Sequence, residues 1–213
     1  MLYITITEIT NDKIENTIIL CVIFMLKIAW GITGCGDKIN EVVEIMKKLK
    51  NKHNLDVDVY LSKNAKIVIK WYKLWQVLED EFYDLRVEVN SNAPFLVGKL
   101  QTGKYDLFLV APATANTTAK IAHGIADTLI TNSVAQAMKA RVPVYIFPPD
   151  NKKGTVETIL PGNKKLTLYM RDVDIENVEK IRKMEGIEVL NKPEDIEKVI
   201  LKHIELKKRE IKK

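Results

Sequence analysis

The chain has 213 residues, a formal net charge of +5 and 46% apolar side chains, enough to bury a full core in one α/β domain. Its lysines alternate with glutamates along expected helices and collect at Lys207, Lys208, Arg209, Lys212 and Lys213. No aromatic and basic reading surface accompanies them, so they describe a solvated face and exclude a nucleic-acid partner. The two cysteines, Cys21 and Cys35, supply neither a metal cluster nor a disulfide framework and fit a reducing cytoplasm.

The run Ile18 to Leu26, "IILCVIFML", is too short to span a bilayer and follows an acidic, polar segment, which excludes an anchor and a signal peptide. A strand and glycine-rich turn begin afresh at Met25 in "MLKIAWGITG". Residues 1–24 are therefore read as an N-terminal extension, of the kind a mis-assigned start produces, and residues 25–213 as a single domain.

From there the elements follow in order. Lys27 to Ile32 reads as a buried strand, and Ile39, Val42, Val43, Met46 and Leu49 recur at helical spacing. Leu55 to Ser62 alternates as a strand, and Asn64 is expected to cap one aromatic-rich helix running to Phe82. Ala93 to Gly103 predicts a short helix closed by glycine, and Tyr105 to Pro112 a central strand. Helices are expected at Ala115–Ala126 and Thr131–Ala140, then a strand at Val142–Pro148. The last third predicts a strand Lys165–Arg171, a helix Ile175–Glu185, a strand Ile187–Leu190 and a helix from Pro193. The lysine- and proline-rich Pro148–Lys165 stretch reads equally as a flap over a site, centred on Lys152 to Thr155, or as a surface excursion. This alternation predicts a doubly wound parallel sheet in three layers, Rossmann or flavodoxin-like.

In such a sheet, ligands bind beyond the carboxyl ends of the strands, where helix N-termini hold anions. Three strand ends carry suitable residues. The first is "GITGCGDK", with Gly31, Gly34 and Gly36 permitting close backbone approach, Thr33 adding a hydroxyl, and Cys35 between them. It is neither the G-x-G-x-x-G dinucleotide pattern nor a Walker loop, and a merely tight turn stays open. The second is Ser62 with Asn64, which serve as caps or as ligands. The third is "PATANTT", where Pro112 stops the strand and Ala113, Thr114, Ala115 and Asn116 present small, hydroxyl and amide groups at a helix start. One cap suffices for the fold; the surplus suits a flat polar ligand lying against backbone.

"PATANTTAKIAHGIADTLIT" resembles the P-A-S-A-N-T and G-x-x-D-N-L-L motifs of the homo-oligomeric flavin-containing cysteine decarboxylase-like flavoproteins. "GITGCGDK" is similar to the same family's phosphate loop, and Ser62 falls where a hydroxyl is expected. The resemblance covers Lys27 to Pro149 and implies bound FMN, its phosphate on Gly31–Gly36 and its ring against Ala113–Asn116. Two departures speak against decarboxylation. The family's catalytic histidine, about fourteen residues before the proline, corresponds to Gly98, and the P-x-M-N-x-x-M-W substrate clamp is replaced by "PPDNKKGTVET". The wider sequence resembles the archaeoflavoprotein and acceptor-dependent dihydromethanopterin reductase branch. That likeness implies an FMN oxidoreductase taking electrons from a ferredoxin-like iron–sulfur protein and passing them to a small organic acceptor such as dihydromethanopterin, in a homotrimer or larger assembly. A flavin-dependent decarboxylase or prenyltransferase and a non-catalytic flavin carrier are the alternatives. No catalytic acid or base is assigned. His53, His123 and His203 are scattered, so no metal site is expected; His123 reads as structural. Trp71, Tyr72 and Trp75 read as core or subunit contacts, with an aromatic over a neighbour's flavin as the other reading.

Overall fold

The computed structural model describes residues 25–211; the expected extension lies outside the described residues. Strand β1 (Leu26–Ile32) is buried at every position but Lys27, as a central parallel strand must be. Helix α1 (Ile39–Lys52) turns its predicted apolar stripe, from Ile39 to Leu49, into the core. After β2 (Leu55–Leu61) the single expected helix is two, α2 (Lys63–Trp71) and α3 (Trp75–Phe82). Lys73 takes the left-handed conformation (φ 59°) and the Leu74 N–H bonds back to the Ile69 carbonyl at 2.9 Å. That six-to-one closure ends α2 without a glycine to announce it.

A short strand β3 (Leu85–Val87) follows, then α4 (Val97–Gln101), closed at Gly103 with φ 70° as expected. Next come β4 (Leu107–Val110), α5 (Ala115–Ala122), α6 (Leu129–Lys139) and β5 (Val144–Ile146). The chain continues through β6 (Thr155–Leu160), β7 (Lys164–Tyr169), α7 (Asp172–Arg182), β8 (Ile187–Val189) and α8 (Asp195–Ile211).

The main sheet has the order β3-β2-β1-β4-β5-β8, all parallel, which is the 3-2-1-4-5-6 winding of Rossmann domains. One face packs against α1, α2, α3 and α8, the other against α4, α5, α6 and α7, giving the three layers. The direction of winding reverses between β1 and β4, so the loops leaving their carboxyl ends diverge and open a crevice. The strand expected at Lys165–Arg171 does not join this sheet. It is β7, paired antiparallel with β6 in a separate hairpin, and all six of its residues are exposed. Its polar and apolar alternation belongs to a one-sided ribbon, unlike the unbroken apolar run of a doubly covered strand.

Candidate functional site

The crevice is built from the two predicted loops, and they are stitched together. The Trp30 indole N–H donates to the Ala111 carbonyl at 2.7 Å. Thr33, 2% exposed, donates its hydroxyl to the Pro112 carbonyl at 3.0 Å and accepts the Thr114 N–H at 2.8 Å. Both hydrogen-bonding roles of that hydroxyl are thus used within the chain. Thr33 fixes the separation of the two loops, and any ligand there meets a rigid floor. Ala113, fully buried, donates its N–H to the Phe147 carbonyl at 2.8 Å, so the segment after β5 runs beside the Ala113–Asn116 turn.

The glycines of the first loop answer to close approach. A Cβ on Gly31 would lie 2.9 Å from Ile130, one on Gly34 2.7 Å from the Asn64 Cβ, and one on Gly36 2.6 Å from the Tyr72 hydroxyl. Gly31 therefore serves sheet packing, whereas Gly34 and Gly36 let the loop settle against α2 and Tyr72. The expected cap at Asn64 is corrected: Ser62 is the N-cap of α2, accepting the Ala65 N–H at 3.0 Å, and Asn64 is an exposed first-turn residue. Serine in extended geometry meets a free N–H three residues on, which a residue already inside the helix does not.

Thr114 caps α5 by accepting the Thr117 N–H at 3.1 Å. Ala115 is half-buried, and the exposed Asn116 side chain makes no hydrogen bond among the described residues. Cys35 is buried, and its thiol is pushed up to about 12, chiefly by burial and then by the carboxylates of Asp150 and Asp37.

Between these loops lies a cavity of about 300 Å³ walled by Gly34–Asp37, Thr114, Ala115, Val68, Trp71, Tyr72, Asp150 and the hairpin residues Thr158, Leu160, Leu166 and Leu168. The hairpin is therefore a wall of the site, tied to the α2 to α3 corner by the Tyr72 hydroxyl donating to the Ile159 carbonyl at 3.3 Å. Its base is held by Asn151, whose amide donates to the Asn191 carbonyl at 3.0 Å. The flap reading of Pro148–Lys165 thus has a structural counterpart, and Lys153 pairs with Asp172 at 3.1 Å on its outer side. Asp150 and β6 fall within the stretch read as a flap or a surface excursion but were not named as site residues, and β7 was expected in the main sheet. The only signal for them in sequence was their position after a strand adjoining the crevice. A larger hollow of about 780 Å³ lies at the start of β5 and β8, bordered by Lys139, Arg141 and Glu185. It is at the amino-terminal edge of a parallel sheet, away from the reversal point where such folds bind ligands.

The residues fit FMN on structural grounds. Helix α1 has no side-chain cap at its N-terminus, leaving backbone donors for a phosphate, and the neighbouring walls combine small, aromatic, hydroxylated and aliphatic side chains with the carboxylates of Asp37 and Asp150. Among the described residues no three His, Cys, Asp or Glu side chains gather to hold a metal, and no helix is long and apolar enough to cross a membrane. His123 bonds Asn177 at 3.1 Å and Lys180 at 3.3 Å, bracing α5 against α7 away from the cavity lining. The position that the resemblance assigns to a catalytic histidine is buried Gly98, where a Cβ would lie 2.0 Å from the Phe95 ring.

A Rossmann-ordered sheet with an uncapped helix start and a small-residue turn at its reversal point defines a phosphate-bearing, flat-cofactor binder. More narrowly, the chain belongs to the Flavoprotein family, whose profile matches residues 25–210. A protein of Methanocaldococcus jannaschii is 91% identical over 186 residues, 87% of this chain and 100% of its own length. The dihydromethanopterin reductase (acceptor) of Methanosarcina mazei is 32% identical over 80% of this chain and 97% of its own. The crystal structure of Burkholderia xenovorans DmrB in complex with FMN, described as a cubic protein cage for redox transfer, superposes with a TM-score of 0.72. It is 30% identical to this chain and covers 85% of this chain and 96% of its own.

Proposed function

We propose that this protein is an FMN-dependent oxidoreductase that receives electrons from an iron–sulfur protein and reduces a dihydropterin. The observation that carries the reading is the crevice itself: an uncapped α1 start beside a Thr114–Asn116 turn, walled by a hairpin, in a chain related to dihydromethanopterin reductase and to an FMN-bound redox cage. The FMN, when bound, supplies the two-electron chemistry.

The chain's own residues divide the remaining work. The α1 N-terminus and the Gly34–Asp37 backbone take the phosphate; Asn116 offers an amide to the ring edge. Thr33 and Trp30 hold the two loops at fixed distance, and the hairpin with Tyr72 limits water. Gly98 under Phe95, and Asp150, Gly154 and Thr155 where the P-x-M-N-x-x-M-W clamp has its two methionines and tryptophan, set this site apart from thiol decarboxylation, although Pro148 and Asn151 keep the proline and asparagine of that pattern. An assembly of several copies accords with the cage described for the relative and with exposed Ile67, Trp71 and Phe95.

The test begins with the purified protein. Flavin absorption bands that bleach with reduced ferredoxin and return on adding dihydromethanopterin, with tetrahydropterin as product, support the reading. Light scattering of the same sample gives the subunit number. Colourless protein that does not take up FMN removes the cofactor; bound flavin without turnover leaves a carrier.

A further inference from the structure

Reducing a C=N bond requires a proton on nitrogen as well as electrons at carbon, and an acid side chain held at the reacting nitrogen supplies that proton more effectively than bulk water. Four residues lining this cavity titrate: Cys35, Asp37, Tyr72 and Asp150. No histidine or lysine is among them. Burial, with nearby Asp150, holds the Cys35 thiol at about 12, and burial with Asp37 raises the Tyr72 phenol; both bind a proton too tightly to release it near neutrality. Asp37 belongs to the loop assigned to the phosphate.

Asp150 differs from the other three. It is half-buried, and it makes no hydrogen bond or ion pair among the described residues. Its backbone is held in place from both sides. The Ala113 N–H grips the preceding Phe147 carbonyl at 2.8 Å, and the following Asn151 is clamped to the Asn191 carbonyl at 3.0 Å. The neighbouring cation, Arg171, is forked onto Asp174 at 2.8 and 2.6 Å and makes no hydrogen bond to Asp150. The groups that face Asp150 are Asp37 and Cys35 from the β1 to α1 loop and Asp174 with Arg171 from the start of α7. On the hairpin side, Lys153 is paired with Asp172 at 3.1 Å. Burial, then Asp174 and Asp37, raise the Asp150 carboxyl above the ordinary 3.8, with Arg171 opposing. A phosphate on the adjoining loop adds negative charge and acts in the same direction.

We infer that Asp150 is the proton donor of this site: from its place on the cavity wall beside the Ala113–Asn116 turn it delivers a proton to the nitrogen of the acceptor's C=N bond. This rests on the dihydropterin reading above. In the step, the Asp150 O–H bond breaks as an N–H bond forms on the acceptor, and the adjoining carbon takes one hydrogen with two electrons from reduced flavin. Asp150 is left a carboxylate and regains its proton from water. With Asp150 ionised the step lacks its acid, so turnover declines as pH rises through the raised value.

The experiment uses the FMN-loaded assembly and the variants Asp150→Asn, Asp150→Glu and Asp37→Asn. Infrared spectra taken over a pH series are expected to show a carboxylic acid band that persists above the ordinary carboxylate range, and that Asp150→Asn removes, Asp150→Glu shifts and Asp37→Asn retains to a lower pH. Turnover of dihydromethanopterin is expected to fall roughly 10²-fold or more in Asp150→Asn and to lose its alkaline limb. Partial recovery in Asp150→Glu, with flavin affinity and reduction by dithionite unchanged, completes the pattern. An unaltered protein without the acid band, or an Asp150→Asn variant that turns over like the parent at every pH, overturns the assignment. If the unaltered protein does not reduce the dihydropterin, the acceptor falls, and the acid band and its pH titration decide Asp150 alone. Should Asp150→Asn not fold, Asp150→Glu carries both comparisons.

Discussion

Thr33 illustrates how one side chain sets a site it does not have to touch. Its hydroxyl bridges the Pro112 carbonyl and the Thr114 N–H while 2% exposed. Replacing it with isosteric valine leaves both backbone groups without that partner, a loss of about 1–3 kcal/mol. Urea unfolding is expected to show that loss, and FMN titration a weaker affinity, since the loops no longer hold their spacing. An unfolding midpoint equal to the parent's counts against the bracing role. Cys35 provides a second expectation. With its thiol held at about 12, thiolate is scarce at about pH 8 and the sulfur is buried. Iodoacetamide should leave the Cys35 peptide unlabelled in the folded protein and label it fully in urea; labelling in the folded state contradicts the packing.

Helices α2 and α6 share an element-scale device. Glu88 follows β3 and places one carboxylate oxygen 3.3 Å from the Lys63 N–H and the other 3.0 Å from the Leu129 N–H. A single carboxylate thus caps two helix starts. Glu88→Ala is expected to cost about 0.5–2 kcal/mol in chemical denaturation, the range of a lost cap, and Glu88→Gln less. Nothing in the sequence marked this residue, because β3 is three residues long and a shared cap depends on which strand lies at the sheet edge. The βα units around Ile39 to Leu49 and at "PATANTT" were legible, since periodicity and surplus hydroxyls are local signals. The break at Lys73 was not, because a left-handed lysine carries no glycine to flag it. Nor was the pairing of β6 with β7. Their alternation reads alike in an edge strand and in a free hairpin, and only the topology tells these apart.

For the molecule as a whole, acid sensitivity has an identifiable origin on the α4 face. Asp58 is partly buried, which raises its carboxyl, but bonds from Arg86 and Tyr105 outweigh that and hold it below the ordinary 3.8. A depressed value in the folded state contributes stability above the unfolded value, and that contribution is lost as pH falls through the folded one. Folding stability should therefore decline on acidification, and Asp58→Asn should flatten this part of the curve while lowering stability at neutral pH. Urea unfolding at a series of pH values checks it; a parent and variant with parallel curves would exclude the cluster as the source. The crevice lies beyond the carboxyl ends of β1 and β4, its hairpin wall is a separate ribbon, and Asp58 sits on β2, so damage to the cluster should weaken the fold before it alters the chemistry.

The aromatic ring lying on Gly98 has an implication for anyone redesigning this scaffold. A side chain grafted there meets the Phe95 ring first, and that ring, 67% exposed, has solvent to turn into. An imidazole at residue 98 therefore displaces an outward-facing aromatic, and comparing it with and without Phe95→Ala separates the effect of the new ring from that of the displaced one.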